Sequence, residues 1–450
     1  MALLTRFFDG FVDPKALSFG LPAKPVASGQ PLAKSSLEWT VLFALLSAPI
    51  VYLSIRHAIH ACLYVLVLLA GYQLLKSPAQ YRRDLNDAWV KPLLFSFAAL
   101  FLATVTTQLL SRNFHLASLD SPSKILLGGL IFLFLRRRAI SFVRVLEWAL
   151  PIALLGIRAA VWIEPDAMAA WDGVRYATRF VDPNSLGSQS LILTLLCLFS
   201  IGLIGKERPW LLALKAVGIV VGLDIVVNCG SRGAWLATPP MLVLWLVLYF
   251  SRSRGTGLAR YFVPLSLFTI ALVAIVLGYD AIVASRGANA YSAIDDWISG
   301  KNMETPVGLR LSMWKISFAL AQDSPWFGYG KVDFKALLIN SPDNIPAFRS
   351  AIDTLAFAGP HSDILAKQLS MGLIGLCTYF ATLLIPGCYF WSLRRDPDID
   401  RRAASHLGLY FLTGVFVCGL SNEMMSLKYL CSFYGLMVAG LAADVARRVK

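Results

Sequence analysis

The sequence predicts an all-α membrane protein, and three observations lead to that prediction. Residues of the AVILMFWYC set make up 57% of the 450-residue chain, whereas charged residues make up only 15%, against about 25% in an ordinary soluble domain. Apolar runs that approach the roughly 20 residues needed to cross a bilayer recur along the chain. No strand-like alternation is sustained, which disfavours an outer-membrane barrel.

Twelve apolar runs are the predicted transmembrane helices. Nine lie near residues 37–55, 57–75, 89–110, 124–135, 140–162, 185–204, 209–228, 233–250 and 261–279, and three near 367–391, 404–421 and 427–445. The chain is therefore expected to comprise an N-terminal segment (1–36), helices 1–9 (37–279), a long loop (280–366), helices 10–12 (367–445) and a C-terminal tail (446–450).

Positive charge in alternate loops orients these helices. With the N-terminus in the cytoplasm, every even-to-odd loop is basic, as at Arg82–Arg83 and Arg136–Arg138. Cytoplasmic loops of membrane proteins collect Lys and Arg, so both termini are predicted to be cytoplasmic. The same bias explains the net charge of +14, and nucleic acid is not needed as a partner.

The predicted outer loops are where function is expected. The loop 280–366 contains a helical-looking stretch at 308–321 and the Pro/Gly-punctuated sequence SPWFGYG at 324–330. A smaller outer loop, 163–184, is rich in charge. Because long loops with their own structure are usually functional, the site is predicted to lie on the periplasmic face, in the loop between helices 9 and 10.

Missing motifs narrow the chemistry. The chain has no GxxxxGK[ST], GxGxxG, HExxH or GxSxG sequence, which are the usual signals of nucleotide, zinc and serine-hydrolase sites. Its five histidines show no metal-ligand spacing, and its seven cysteines include no CxxC pair. Neither a metal nor a cofactor is predicted.

Four arginines lie where the positive-inside bias disfavours them. Arg232 opens helix 8, Arg310 lies in the long loop, and Arg175 and Arg179 lie in the smaller outer loop. A guanidinium offers a planar donor fork for phosphate oxygens, so these residues are predicted to bind a pyrophosphate. The alternative is pairing with lipid headgroups or with the acidic residues of the smaller loop, namely Asp166, Asp172 and Asp182.

His361 is the candidate general base. It follows Gly359-Pro360 where the long loop re-enters the membrane, and a histidine pKa near 6.5 suits proton abstraction at neutral pH. Glu423, at the outer end of helix 11, is a possible orienter of the imidazole. The alternative for both residues is an ordinary packed or helix-terminal position.

Taken in order, these segments resemble the O-antigen ligase and polymerase superfamily. The resemblance rests on the helix count, the single long loop and the segments FVDPNSLG (180–187), SRGAW (231–235), GLRLSMWKIS (308–317), SPWFGYGKVDF (324–334) and PHSDILAKQLSMGLIG (360–375). Ser362 departs from the family, which often has asparagine after the histidine, although a hydroxyl still offers a hydrogen bond there.

The resemblance implies an activity and its partners. Members transfer glycans from a polyprenyl pyrophosphate carrier without metal or nucleotide. The chain is expected to be an inner-membrane ligase that moves O-antigen from undecaprenyl pyrophosphate to lipid A–core oligosaccharide, with inversion. Its GLRLSMW and PHSDIL forms favour this reading. A polymerase that joins repeat units on the same carrier is the alternative.

Residue roles follow from the same resemblance. Arg310 and Arg232, assisted by Arg179 or Arg175, are expected to hold the pyrophosphate while His361 deprotonates the acceptor hydroxyl. A polytopic transporter or flippase of a lipid-linked anion is the alternative from a different class. Such a protein carries charge within its membrane spans, and Arg158 and Asp224 are the residues that keep this alternative open.

Overall fold

The computed structural model describes residues 36–112, 114–169, 171, 173–252, 269, 290–330 and 348–447. Over these ranges the chain is helical, and its one β-type feature is an isolated bridge between Thr178 and Val181. The predicted all-α class is confirmed. The predicted span 261–279, nearly all of the N-terminal segment and residues 448–450 lie outside the described residues.

Eleven α-helices precede the long loop in the described part of the chain. They are α1 (Ser36–Val51), α2 (Ala58–Lys76), α3 (Pro78–Asp84), α4 (Val90–Leu110), α5 (Asp120–Leu135), α6 (Phe142–Ile163), α7 (Asp166–Ala169), α8 (Pro183–Phe199), α9 (Pro209–Cys229), α10 (Arg232–Trp235) and α11 (Thr238–Arg252). The predicted span 233–250 is thus divided between α10 and α11.

The long loop contributes helices of its own. These are α12 (Ala290–Ile298), α13 (Pro306–Asp323) and α14 (Arg349–Ala358), and α13 covers the predicted helical stretch 308–321. They are followed by α15 (Asp363–Ser392), α16 (Ile399–Gly419) and α17 (Lys428–Ala446). Helix α15 begins four residues before the predicted start at 367, because Asp363 and the residues after it already form its first turn.

Eight stretches in the described part of the chain are long and apolar enough to cross a membrane. They are 58–76, 90–110, 116–135, 142–163, 209–229, 233–251, 363–392 and 428–446, while α1 and α8 are apolar but shorter. The run predicted to be shortest, 124–135, is longer in the structure because a 3₁₀ turn at Leu116–Leu119 leads directly into α5. The chain is therefore a multi-pass membrane protein.

Helix α17 lies at the centre of the bundle. It packs against α5 where two glycines face each other: a Cβ on Gly128 would lie 2.9 Å from the carbonyl oxygen of Gly435. Such close backbone approach is how small residues bring helices together within membranes. Of the eight candidate spans in the described part of the chain, α17 is the most buried, at 89%, and it packs chiefly against α5 and α16.

Helix α15 is broken near its start, and the SPWFGYG segment fills the break. Gly372 has φ 59° and ψ −150° within the helix. The peptide N–H groups of Tyr329 and Gly330 donate to the carbonyls of Leu369 (2.7 Å) and Ser370 (2.9 Å). The segment thus satisfies backbone groups that the break leaves without helical partners, and it fixes the first turns of α15 against the long loop.

Candidate functional site

The turn that leads into α15 is held from two sides. Gly359 and His361 both have left-handed backbone conformations, with φ of 74° and 49°. The Trp314 indole on α13 donates to the Pro360 carbonyl at 3.0 Å. On the other side the fully buried Asp363 carboxylate accepts from the Met425 peptide N–H at 2.8 Å. A non-glycine residue in this conformation costs roughly 1–2 kcal/mol, and these contacts fix His361 in it.

His361 is partly buried beside two charged groups. Burial lowers the pKa of its imidazole below the ordinary 6.5, the nearby Arg310 guanidinium lowers it further, and the Asp182 carboxylate opposes the change. The imidazole is therefore neutral at neutral pH and able to accept a proton. The fold thus brings together the predicted base and Arg310, and adds Asp182, which the sequence indicated only as a partner for arginine.

Glu423 contacts the backbone of this turn. A Cβ added to Gly359 would collide with Glu423 Oε1. Burial raises the pKa of the Glu423 carboxyl group to about 7, whereas Lys367, the Ser426 hydroxyl and the His361 backbone N–H lower it. The sequence suggested an orienter of the imidazole ring; the geometry instead places this carboxyl group against the peptide that carries the ring.

The two arginines of the smaller loop have different surroundings. Arg175 is half-buried, and its guanidinium donates to the Cys229 carbonyl and to Asn184 Oδ1, each at 2.6 Å. Arg179 is 69% exposed and pairs with Glu164 at 3.3 Å. Arg175 therefore joins the loop to the ends of α8 and α9, whereas Arg179 makes an exposed ion pair of small energy.

Arg232 begins α10, and its side chain lies outside the described part of the structure. The backbone around it is close to the site. A Cβ on Gly233 would lie 3.1 Å from the Ser421 Cβ, and a Cβ on Gly187 would lie 2.9 Å from the Ser231 Cβ. The SRGAW segment therefore packs between the start of α8 and the loop that carries Glu423.

The start of α8 completes the same end of the bundle. The Asp182 carboxylate accepts from the peptide N–H groups of Asn184 (2.9 Å) and Ser185 (3.0 Å), and Pro183 occupies the first turn. This is the usual N-terminal signature of a helix. Asn422 then donates to the Ser185 hydroxyl at 3.2 Å, so the DPNSLG segment also meets the Glu423 loop.

Arg158 and Asp224, the two charged residues that left a transporter as an alternative function, are paired with each other. Arg158 contacts Asp224 at 3.1 Å, and its guanidinium lies 5.0 Å from the centre of the Tyr176 ring. Each residue is five positions from the end of its helix, α6 or α9. The pair therefore lies close to the helix ends that form the candidate site.

Two cavities flank the first turns of α15. One, of about 300 Å³, has walls of hydroxyl groups, lysines and a few apolar side chains from α4, residues 117–122, α15 and residues 425–428. The other, of about 460 Å³, lies between α13 and α15 and is lined almost entirely by apolar groups, including Phe318, Trp326 and Leu365. Over the described ranges, no three His, Cys, Asp or Glu side chains are grouped so that they could hold a metal ion.

The described part of the chain is thus a multi-pass helical membrane bundle that brings His361 and Arg310 together at one end. Residues 217–380 match the family described as O-antigen ligase. The matched range contains Arg232, Arg310 and His361, and it supports the O-antigen ligase superfamily, confirming the resemblance seen in the sequence. Members are membrane glycosyltransferase-like ligases and polymerases. A search of curated proteins gave no match to the chain.

Proposed function

We propose that the chain is an O-antigen ligase that transfers a glycan from undecaprenyl pyrophosphate to lipid A–core oligosaccharide at the periplasmic face of the inner membrane. The observation that carries the proposal is the placement of a neutral His361 beside Arg310, at the end of the bundle where the segments typical of the family meet. Both residues lie within the range that matches the family.

The proposed reaction is a single displacement. The neutral imidazole of His361 takes the proton of an acceptor hydroxyl as its oxygen attacks the anomeric carbon of the donor sugar. The bond from that carbon to the pyrophosphate oxygen breaks, and the carrier leaves with the electron pair. Arg310 and Arg232 bind the departing pyrophosphate, and removing one such charge-stabilising donor typically costs roughly 2–4 kcal/mol of transition-state stabilisation.

The apolar cavity between α13 and α15 is the proposed binding site for the carrier's polyprenyl chain. Its walls come from the same two helices, since α13 carries Arg310 and His361 immediately precedes α15. An isoprenoid chain has no polar groups to satisfy, which suits walls such as Phe318 and Leu373. Of the assisting arginines, Arg179 is the better candidate for the donor because it is exposed.

The test is a His361→Ala protein assayed for transfer with purified carrier-linked donor and lipid A–core. Transfer should fall by about 10²–10⁴-fold while donor binding is retained, because a general base acts in the chemical step. His115→Ala, which changes a half-buried histidine outside the site, is the control. An active, folded His361→Ala protein would reject His361 as the base.

Two further measurements test His361 as the base and distinguish a ligase from a polymerase. Transfer by the unchanged protein should decline as pH falls through a value below 6.5, because burial and Arg310 lower the pKa of His361 and its imidazolium cannot accept a proton. In a deletion strain, loss of all polymer from the core with polymer retained on the carrier indicates a ligase. A core that bears one repeat unit indicates a polymerase.

A further inference from the structure

The cavity of about 300 Å³ beside α15 is not lined by His361, Arg310 or Asp182. Its walls carry hydroxyl groups at six positions, which are Thr104, Thr107, Ser118, Ser121, Ser370 and Ser426. Its volume is at the lower end of the range for ligand pockets, so it suits one small polar group rather than a long chain.

The hydroxyl groups of the wall are set up as hydrogen-bond acceptors. Thr104 and Ser370 donate to the carbonyls of Leu100 and Ala366, both at 2.7 Å, one turn back in their own helices. Ser121 donates across the cavity rim to the Ser426 carbonyl at 2.9 Å. A hydroxyl has one donor and two acceptor positions, so these oxygens can still accept from the hydroxyl groups of a ligand.

Lys367 brings positive charge to the same wall. Its ammonium group donates to the Met425 carbonyl at 3.2 Å and to the Ser426 hydroxyl at 3.5 Å. An ammonium group has three donors, and these two contacts use two of them, although the charge also acts on the buried carboxyl groups of Asp363 and Glu423. Nearby, Asp120 is shared by Lys124 and Lys428. Lys367 and Lys428 both line the cavity, and its described lining residues include no carboxylate, so the wall carries a positive excess.

We propose that this cavity binds one anionic sugar residue, with its carboxylate or phosphate on Lys367 and its hydroxyl groups on the wall oxygens. The inference rests on the proposed glycan transfer and adds a saccharide subsite to it. That sugar can belong to the acceptor oligosaccharide or to the donor glycan. The subsite adjoins the reacting end, because the Ser426 that Lys367 contacts also faces Glu423 beside the His361 turn.

The binding experiment uses the purified full chain in detergent and saturation-transfer NMR with three probes: glucuronic acid, glucose 6-phosphate and glucose. The two acidic sugars should bind at least about 10-fold more tightly than glucose, as expected for a charge-assisted contact. Ser118→Glu should abolish this preference, whereas Ser118→Gln, of equal size, should keep it. Lys367→Met should weaken acidic-sugar binding about 10-fold. Equal binding of all three sugars, or equal behaviour of the Glu and Gln variants, would overturn the proposal.

Transfer kinetics identify the source of the sugar and keep the two proposals apart. In Ser118→Glu, a raised KM for lipid A–core alone assigns the cavity to the acceptor, and a raised KM for the carrier-linked glycan alone assigns it to the donor. An Arg310→Lys protein should still bind glucuronic acid. If the unchanged protein binds acidic sugars but transfers no glycan, the proposed function is rejected and the saccharide subsite is retained. If it transfers glycan but binds no acidic sugar, the subsite is rejected and the proposed function is retained.

Discussion

Two lysines at opposite ends of the bundle carry their charge in different ways. Lys215, near the start of α9, is fully buried, and its ammonium group lies 2.8 Å from Glu207 and 3.6 Å from Glu147. Lys367, in the second turn of α15, is half-buried and contacts a carbonyl and a hydroxyl at the edge of the cavity of about 300 Å³. The protein neutralises the first charge itself and leaves the second facing space for a ligand.

The same contrast extends along the Lys215 end. Arginines there pair with carboxylates of neighbouring helices or turns at 2.9–3.1 Å, as in Arg136–Asp87, Arg144–Asp400 and Arg401–Asp396. At the His361 end, Arg310 acts on the imidazole, and Lys367 acts on the carboxyl group of Glu423. Ion pairs occur at both ends, as Arg158–Asp224 shows at the His361 end. The candidate site differs in that Arg310 and Lys367 act on groups at the His361 turn.

The largest effect expected from this comparison is on stability, at Lys215. In Lys215→Met, Glu207 and Glu147 lose their cation while only 7% and 15% exposed. Removing one partner of a buried ion pair typically costs about 3–5 kcal/mol, so the thermal unfolding temperature in detergent should fall sharply. Adding Glu207→Gln to this variant should restore part of the loss. A Lys215→Met protein as stable as its parent would contradict the structural role.

Lys367→Met is the matched comparison for Lys215→Met. The ammonium group of Lys367 donates to a carbonyl and a hydroxyl and acts on the Glu423 carboxyl group without a direct ion-pair contact, so its loss breaks no close ion pair. Its unfolding temperature should therefore fall far less than that of Lys215→Met, when both are measured in the same detergent. Equal losses would remove the distinction between the two ends of the bundle.

At Arg310 the expected effect is on transfer. Arg310→Lys keeps the charge but loses the planar fork that binds a pyrophosphate, so transfer should fall by about 10²–10³-fold with little change in unfolding temperature. Arg137→Lys is the control, since Arg137 pairs with Asp84 at 2.7 Å at the opposite end and its replacement should leave transfer unchanged. Full transfer by Arg310→Lys would reduce Arg310 to a structural contact.

Local sequence rules predicted the elements of the site. Apolar runs predicted the membrane spans, and the Pro/Gly pattern of residues 324–330 indicated a structured segment within the long loop. The pairing of that segment with the Gly372 break was not predictable, because it joins backbone groups about 40 residues apart. His361 and Arg310 were predicted from residue type and loop position, and the structure brings these two residues together.

Long-range placement is what sequence reasoning missed. Asp182 reads as a helix cap, and nothing local indicates that its carboxylate also acts on His361. Trp314 lies in the GLRLSMWK segment but was not identified as the donor to Pro360. Lys367 was overlooked because a lysine in the first turns of a membrane helix resembles an ordinary interfacial residue. Which groups meet depends on how distant helices pack, and one sequence does not contain that information in readable form.

The smallest effects on stability and transfer are expected for Glu423→Gln, and the pH dependence of its stability is what tests the role of Glu423. Burial raises the pKa of this carboxyl group from 4.5 to about 7, so the folded protein holds the proton more tightly than the unfolded chain. The stability that protonation supplies is fully present below pH 4.5 and is lost as pH rises through about 7. Glu423→Gln mimics the protonated form at every pH.

Unfolding temperatures of the Glu423→Gln and unchanged proteins should therefore agree below pH 4.5, separate as pH rises from 4.5 to about 7, and stay apart above it, with the Gln variant the more stable. Transfer by Glu423→Gln should fall by less than about 10-fold, because an amide can still contact the His361 turn although the charge is gone. Its acid limb should remain below pH 6.5, since that limb belongs to His361. A shifted acid limb would mean that Glu423 acts on the imidazole itself, and a Gln variant that is less stable at every pH would mean that the carboxylate form is needed to hold the turn.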